Sequence, residues 1–335
     1  MNTIIVLFGG SSDERHVSVA SAQNMVGALG RPLCWFESPT GAIHDVAPSE
    51  LLAHQRPFEI DFVPSRPAIW PNLEQALDTL PVDNPVFILG YHGGAGENGI
   101  VQAMFEARGL PFTGSSAATS AVAFDKQRAK DAVRDRVRVA ESRVVRTADE
   151  VRDALTDMLT RHARLVLKPL EGGSSRGLFF VDHVIDFDPP RPYLVEQFLH
   201  GRELTVGVID RPSGPFALPV LEVEMDAGLT FDYEGKYLGR GSHEVCPANI
   251  SDAMTRDAQS AAVAAHVALG CSGCSRTDVV ACDDGMYFLE TNTLPGLTKS
   301  SLVPQELQAA GIAFGDFLEE QIAIALQRAA HERLA

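Results

Sequence analysis

Two short apolar runs constrain the fold more than any other feature of this sequence. Thr3–Phe8 (TIIVLF) and Pro85–Gly90 (PVFILG) read as buried strands, and each enters a glycine-rich loop followed by a helical pattern. The first unit is strand, loop Gly9–Arg15 and helix Val17–Leu29; the second is strand, loop His92–Gly99 and helix Ile100–Arg108. Repeated strand–loop–helix units build an open parallel α/β sheet, whose ligands bind beyond the carboxyl ends of the strands. A short strand at Leu110–Phe112 then reaches Gly114, where a first domain can end. Gly30–Pro81 is proline-rich and poorly periodic and supports no assignment.

The pattern changes after that point. Asp125–Arg136 is helical and heavily charged, and Thr147–Thr160 reads as a helix in which Thr147 and Glu150 fit a capping box. Strands are expected at Val144–Arg146, Leu165–Lys168, Leu178–Val181 and Tyr193–Phe198, then at Leu204–Ile209 and Pro219–Val223. A polar loop over Asp226–Ala248 precedes a helix at Asp252–Leu269, a hairpin at Arg276–Thr291 and a final helix at Ala313–Ala329. With 335 residues the chain suggests two or three domains, α/β at the start and α+β after it.

The formal net charge of −16 argues against unaided binding to nucleic acid or an anionic membrane. No apolar run approaches the roughly 18 residues of a membrane span, and Met1–Phe8 lacks the basic flank of a signal peptide, so a cytoplasmic location is expected. Five scattered cysteines fit a reducing compartment. Cys271 and Cys274 form a lone C-x-x-C without visible partners and are read as buried thiols rather than a zinc or redox site.

Chemistry concentrates in the hairpin. Asp283-Asp284-Gly285 is a turn signal, and a three-residue loop sets Asp278 opposite Glu290 and Arg276 opposite Asn292. All four side chains then share one face, because strand side chains alternate. A two-residue loop shifts this register by one. Two acids directly opposed in a sheet repel each other, which a hard cation between them would relieve. Asp278, Glu290 and Asn292 supply the oxygen ligands that Mg²⁺ takes, whereas the bland reading is a solvated charged face. The turn-rich segment Asn292–Thr298 that follows can offer backbone N–H groups to developing negative charge, or serve as a plain connection.

Three glycine loops surround this feature in the sequence. Lys168 precedes Glu171–Gly177 (EGGSSRG), a phosphate cradle or a flexible hairpin tip, and the lysine favours the phosphate reading. Gly9–Arg15 lacks a dinucleotide fingerprint, and its Asp13 and Glu14 suit a substrate ammonium better than a pyrophosphate. In His92–Gly99, His92 is either a general base or a structurally held histidine. Tyr233–Tyr237 sits in a long polar loop of the kind that closes over sites.

Taken together, GGSSDERHVS from Gly9, YHGGAGENG from Tyr91, FDK at Phe124, LVLKPLEGGSSRG from Leu165 and VEQFLHGRELTV from Val195 resemble the D-alanine–D-alanine ligase family of the ATP-grasp superfamily. FDYEGKYL from Phe231, SRTDVV from Ser275 and LETNTLPGLTKSSLVP from Leu289 continue the match in family order. The resemblance implies an ATP-grasp architecture with an open parallel N-terminal domain at 1–114, a central subdomain at 115–196 and a catalytic subdomain at 197–335. It implies ATP and Mg²⁺ (or Mn²⁺), D-alanine as substrate, a homodimer and a role in peptidoglycan precursor synthesis.

Residue by residue, it implies that Lys126 and Lys168 contact phosphates and that Glu196, Gln197, Phe198 and Leu199 line adenine. Glu203 corresponds to the ribose-binding acid, Lys236 to a loop lysine reaching the nucleotide, and Asp278, Glu290 and Asn292 to metal ligands. Glu14, with Ser174 and Tyr237, matches the group that holds the first amino acid. Arg276 and Gly296 match the oxyanion-stabilising pair; His92 falls within the substrate motif, and Ser301 and Leu302 surround the second carboxylate. Asn98 departs from a usual Asp and Gln197 from Lys or Glu, which leaves substrate identity more open than ATP use. Relatives that join other amino or hydroxy acids, and a non-catalytic nucleotide-binding regulator, are the alternatives.

Overall fold

The computed structural model describes residues 2–173, 177–225 and 242–332. The first apolar run is β1 (Thr3–Gly9), buried from Ile5 onward, and leads into α1 (Arg15–Leu29). The proline-rich stretch holds β2 (Leu33–Glu37), β3 (Ile43–Val46), α2 (Pro48–Ala53) and α3 (Leu73–Asp78), elements too short to register a period in the sequence. Next come β4 (Pro85–Leu89) and α4 (Ile100–Glu106). The sheet order is β3-β2-β1-β4. β1 runs parallel to β2 and β4, as expected, but β3 closes the edge antiparallel to β2. The expected strand at Leu110–Phe112 is reduced to one parallel bridge between Phe87 and Phe112.

After α5 (Ala117–Phe124), Asp125 caps α6 (Lys126–Val133), its carboxylate accepting the N–H groups of Gln127 and Arg128 at 3.0 Å each. Then follow β5 (Arg138–Val139), β6 (Ser142–Val145), α7 (Ala148–Met158), β7 (Leu165–Pro169), β8 (Phe179–Val181) and β9 (Tyr193–Gln197). Strands β6-β9-β7-β8 make an antiparallel sheet, with Val151, Leu155 and Met158 of α7 packed into its core. Thr147 caps α7 at Glu150 N, but the Glu150 carboxylate accepts from Arg146 N–H rather than completing the expected box.

The largest sheet uses β10 (Arg202–Arg211), β11 (Gly214–Ala217), β12 (Leu221–Met225) and β13 (Ser242–Val245). After α8 (Asp252–Leu269), β14 (Cys274–Cys282) and β15 (Gly285–Asn292) complete it, and α9 (Leu302–Ala309) and α10 (Phe314–Glu332) close the chain. Its order is β13-β12-β10-β14-β15-β5, with β11 on β10. Ala129 and Val133 of α6 share its core with Ala258 and Ala262 of α8, so α6 packs on this sheet. The polar stretch expected over Asp226–Ala248 contains the strand β13; residues 226–241 lie outside the described residues.

The hairpin departs from expectation in an instructive way. Cys282 pairs with Gly285, so the turn has two residues, Asp283 and Asp284, not three. That register would set Glu290 opposite Thr277 and spoil the acid pair. A β-bulge between Asp278 and Val279 corrects it: Phe288 pairs with Val279, Leu289 is the extra residue, and Glu290 pairs with Asp278. The bulge lets Phe288 enter the core fully buried while Glu290, two positions on, turns to the other face. Arg276 faces Asn292 as the sequence suggests.

The last helix returns to the first sheet. Phe317, Leu318 and Ile322 of α10 share one core with Phe8, Met25 and Ile88. Arg328 donates to the carbonyls of Phe112 and Gly114 and lies over the Phe112 ring at 4.2 Å. Arg328→Leu keeps much of the packing but strips both carbonyls of a charged donor. It is expected to cost about 2–3 kcal/mol, read as a lower urea midpoint; a change under about 0.5 kcal/mol would show that this contact does not tie the last helix to the segment after α4.

Candidate active site

The three sheets meet around an open cleft of about 630 Å³. Six residues singled out in the sequence line it: Glu14, His92, Lys126, Arg276, Glu290 and Asn292, with Gly172 and Gly173 of the glycine loop above them.

The floor is the hairpin face. Asp278, 8% exposed, accepts two hydrogen bonds from Arg276, at 3.0 and 2.8 Å, and one from Thr205 Oγ1 at 2.6 Å. Glu290 lies 3.5 Å from the Lys126 ammonium, which also donates to the Gly172 carbonyl at 2.6 Å. Burial pushes Lys126 below the usual lysine range, and the Glu290 charge pulls it partly back. Each opposed acid therefore has its own cation, which removes the repulsion between them. Asn292 Oδ1 accepts from Leu294 N–H at 2.8 Å and so starts the turn that follows.

Two loops of the first sheet form the opposite wall. Gly93 is held at φ +67°, and a Cβ there would come within 2.5 Å of Ser12 Oγ and 2.8 Å of Glu14 Oε2. Only glycine lets the second loop approach Glu14 this closely. Glu97 accepts Gly93 N–H at 2.9 Å and lies 3.5 Å from His92 Nδ1, while His92 Nε2 is 3.4 Å from Ser21 Oγ. His92 is thus buried and flanked by partners while still lining the cleft. A Cβ on Gly296 would meet Ser301 Oγ at 2.7 Å and His92 Cε1 at 3.6 Å, so the turn after the hairpin packs directly on this loop. Ser301 Oγ accepts Thr298 N–H at 3.1 Å, and Leu302 packs against Leu221 and Val223.

Behind the glycine loop, Lys168 on β7 contacts the Glu196 carboxylate at 2.6 Å. Glu196, Gln197, Phe198 and Leu199 leave β9 together; the Phe198 ring packs edge-on to Phe180 and His200, with Arg164 over it at 5.1 Å. Glu203 stands on β10 opposite Val280. Ser174, Lys236 and Tyr237 lie outside the described residues. Asp278, Glu290 and Asn292 form an all-oxygen donor set suited to a hard cation. Among the described residues no cluster of three or more His, Cys, Asp or Glu is arranged for a metal. Burial pushes the Cys271 thiol up to about 12 and Cys274 higher still; Cys274 is buried as expected, whereas Cys271 is only partly so.

The D-ala D-ala ligase N-terminus family matches residues 3–115 and the D-ala D-ala ligase C-terminus family matches residues 132–323. The chain belongs to the D-alanine–D-alanine ligase family. The D-alanine–D-alanine ligase of Leptospira interrogans is 33% identical, covering 98% of this chain and 99% of that protein. The solved VanG D-Ala:D-Ser ligase from Enterococcus faecalis superimposes with a TM-score of 0.79 at 26% identity, over 97% of this chain and 100% of the other. A D-alanine–D-alanine ligase from Bacillus anthracis, solved with ATP, has the same fold, with a TM-score of 0.72 at 23% identity over 99% and 100% of the two chains. Membership in the D-alanine–D-alanine ligase family makes this protein an ATP-dependent ligase with the ATP-grasp fold.

In this ligase, Asn98, the departure from the usual Asp, accepts Ile100 N–H at 3.1 Å at the start of α4, a task either side chain can perform. Residue-level reading missed Thr205 and Lys130, which touch site residues from β10 and α6. Thr205 was visible only as an alternating position on a strand. Gly93→Ala tests the loop approach: it should raise KM for the first amino acid by about tenfold and cost about 1–2 kcal/mol of stability. An unchanged KM would mean that the Gly93–Glu14 contact does not shape the substrate site.

Proposed function

We propose that the protein joins two D-alanine molecules to D-alanyl-D-alanine with cleavage of ATP to ADP and phosphate, supplying peptidoglycan precursor. The observation that carries this reading is the cleft lined together by Glu14, by Lys126, Arg276, Glu290 and Asn292, and by Gly172 and Gly173 of the glycine loop. Glu14 holds the ammonium of the first D-alanine. The carboxylate oxygen of that D-alanine attacks the γ-phosphorus of ATP, the bond to the β-phosphate oxygen breaks, and ADP leaves behind a D-alanyl phosphate. The free amine of the second D-alanine then attacks the carbonyl carbon. Arg276 and the backbone at Gly296 steady the resulting oxyanion, and its collapse breaks the carbon–oxygen bond to phosphate, which leaves with the proton the attacking nitrogen gives up. Ser301 and Leu302 flank the second carboxylate, and His92 stands beside them.

Lys126 and Lys168 neutralise the phosphates, with Glu196 to Leu199 along the base and Glu203 at the ribose. Asp278, Glu290 and Asn292 would hold Mg²⁺ (or Mn²⁺), which supplies charge neutralisation during phosphoryl transfer when bound. Occupation of that site requires Arg276 to loosen its two-pronged grip on Asp278, freeing it for the oxyanion. No helix among the described residues is long and apolar enough to cross a membrane, in keeping with a cytoplasmic enzyme, and we assign it as a homodimer on family grounds. Likeness to a D-Ala:D-Ser ligase makes the second amino acid the variable to test.

The test is phosphate release with ATP and Mg²⁺ across D-alanine, D-serine and D-lactate, with products weighed by mass spectrometry. D-alanine alone should support release and yield the dipeptide. Release only when D-serine or D-lactate is added would move the protein to a relative with another second substrate. Glu290→Gln should lower turnover by about a thousandfold with the fold intact; near-normal activity would refute its assignment.

A further inference from the structure

We infer that Lys130 is a positioning residue for nucleotide binding: it fixes the Glu196 carboxylate as a counter-ion from which Lys168 is free to move onto phosphate. This rests on the nucleotide site proposed above. Lys126 and Lys130 lie one turn apart on α6, so they share a helix face. Their environments differ. Lys126 lines the cleft, whereas Lys130 is 1% exposed and does not. Its ammonium donates to Ala140 O at 2.7 Å, Ser142 Oγ at 2.9 Å and Glu196 Oε1 at 2.6 Å. These contacts use all three of its donors, so it has none to offer a ligand.

Glu196, 3% exposed, divides its carboxylate between two lysines: Oε1 to Lys130 and Oε2 to Lys168 at 2.6 Å. Burial alone would raise its pKa, but Lys168 and Lys130 together hold it below the usual carboxylate range. Lys168 therefore rests on Glu196. Its departure onto a phosphate would leave a buried carboxylate bare if it were the only partner, an arrangement proteins avoid. Lys130 removes that penalty. It also does so from across the seam, since α6 packs on the largest sheet and Glu196 belongs to the four-stranded one.

Without Lys130, Lys168 becomes the sole counter-ion and stays where it is. The loss should then fall on phosphate binding and not on the chemical step. Inorganic tripolyphosphate, which has no base, is the suitable probe, used as a competitor of ATP in the turnover assay. Lys130→Met should raise its inhibition constant and the KM for ATP by about tenfold, with kcat within about threefold of the parent. Adding Glu196→Gln to Lys130→Met should restore the tripolyphosphate constant to within about threefold, because a neutral amide has little hold on Lys168.

A merely structural lysine would behave differently: kcat would fall with KM, and the double variant would be no better than the single. Either result overturns the inference, as does a change under about threefold in Lys130→Met. Should Lys130→Met fail to fold, Glu196→Gln with and without Lys130→Met decides the matter. Equal tripolyphosphate constants support action through Glu196 alone, and unequal ones contradict it. Lys168→Met separates the two levels of the reading. If it leaves ATP and tripolyphosphate binding unchanged, the nucleotide site itself is misassigned; if it weakens both while Lys130→Met does not, only the role of Lys130 fails.

Discussion

The structure depends on one electrostatic arrangement: Asp278 and Glu290 opposed across an antiparallel ladder, where like charges should destabilise the sheet. Arg276 takes Asp278 with a two-pronged contact, and Lys126 stands beside Glu290. The two cations come from different parts of the fold, one from the same strand two residues earlier and one from the start of α6. Compensation of the pair thus joins the hairpin to the helix and, through the Lys126–Gly172 contact, to the glycine loop. On the proposed function, the side chains that compensate these acids are ones that a divalent cation and a triphosphate can displace. The low accessibility of Asp278 makes each of these charges count for more than it would in water.

The same logic extends behind the cleft. Lys168 and Lys130 share Glu196, so the chain carries a further compensated acid on the sheet β6-β9-β7-β8. All three acids belong to strands, and two of the four cations, Lys126 and Lys130, come from α6, which Asp125 caps. A helix of eight residues therefore distributes charge to two sheets. Close approach shapes the rest of the site: Gly93 in a loop of the first sheet lets Glu14 draw near, and Gly296 in the turn after the hairpin lets Ser301 and His92 do so.

Much of this was legible in the sequence. Period-two alternation put Arg276, Asp278, Glu290 and Asn292 on one face, and the buried runs at Thr3 and Pro85 announced the parallel sheet. The register was right for an incomplete reason: the turn is one residue shorter than assumed, and the bulge at Leu289 restores the pairing. A bulge leaves no mark in a hydrophobic pattern, because it is set by what packs beneath Phe288. Lys130 was invisible for a related reason. On a helix rich in charge it reads as solvated, and its partner Glu196 lies 66 positions away. The edge strand β3 and helices α2 and α3 were missed because four to six residues carry too little periodicity.

We propose that the opposed acids form one cation site that nucleotide completes. Mn²⁺ binding followed by electron paramagnetic resonance, with and without ADP, addresses it directly. The account predicts a tight Mn²⁺ site that appears only with ADP and is lost in both Asp278→Asn and Glu290→Gln. Retention of that site in either variant, with parent-like affinity, would contradict the assignment of the hairpin face as the metal centre.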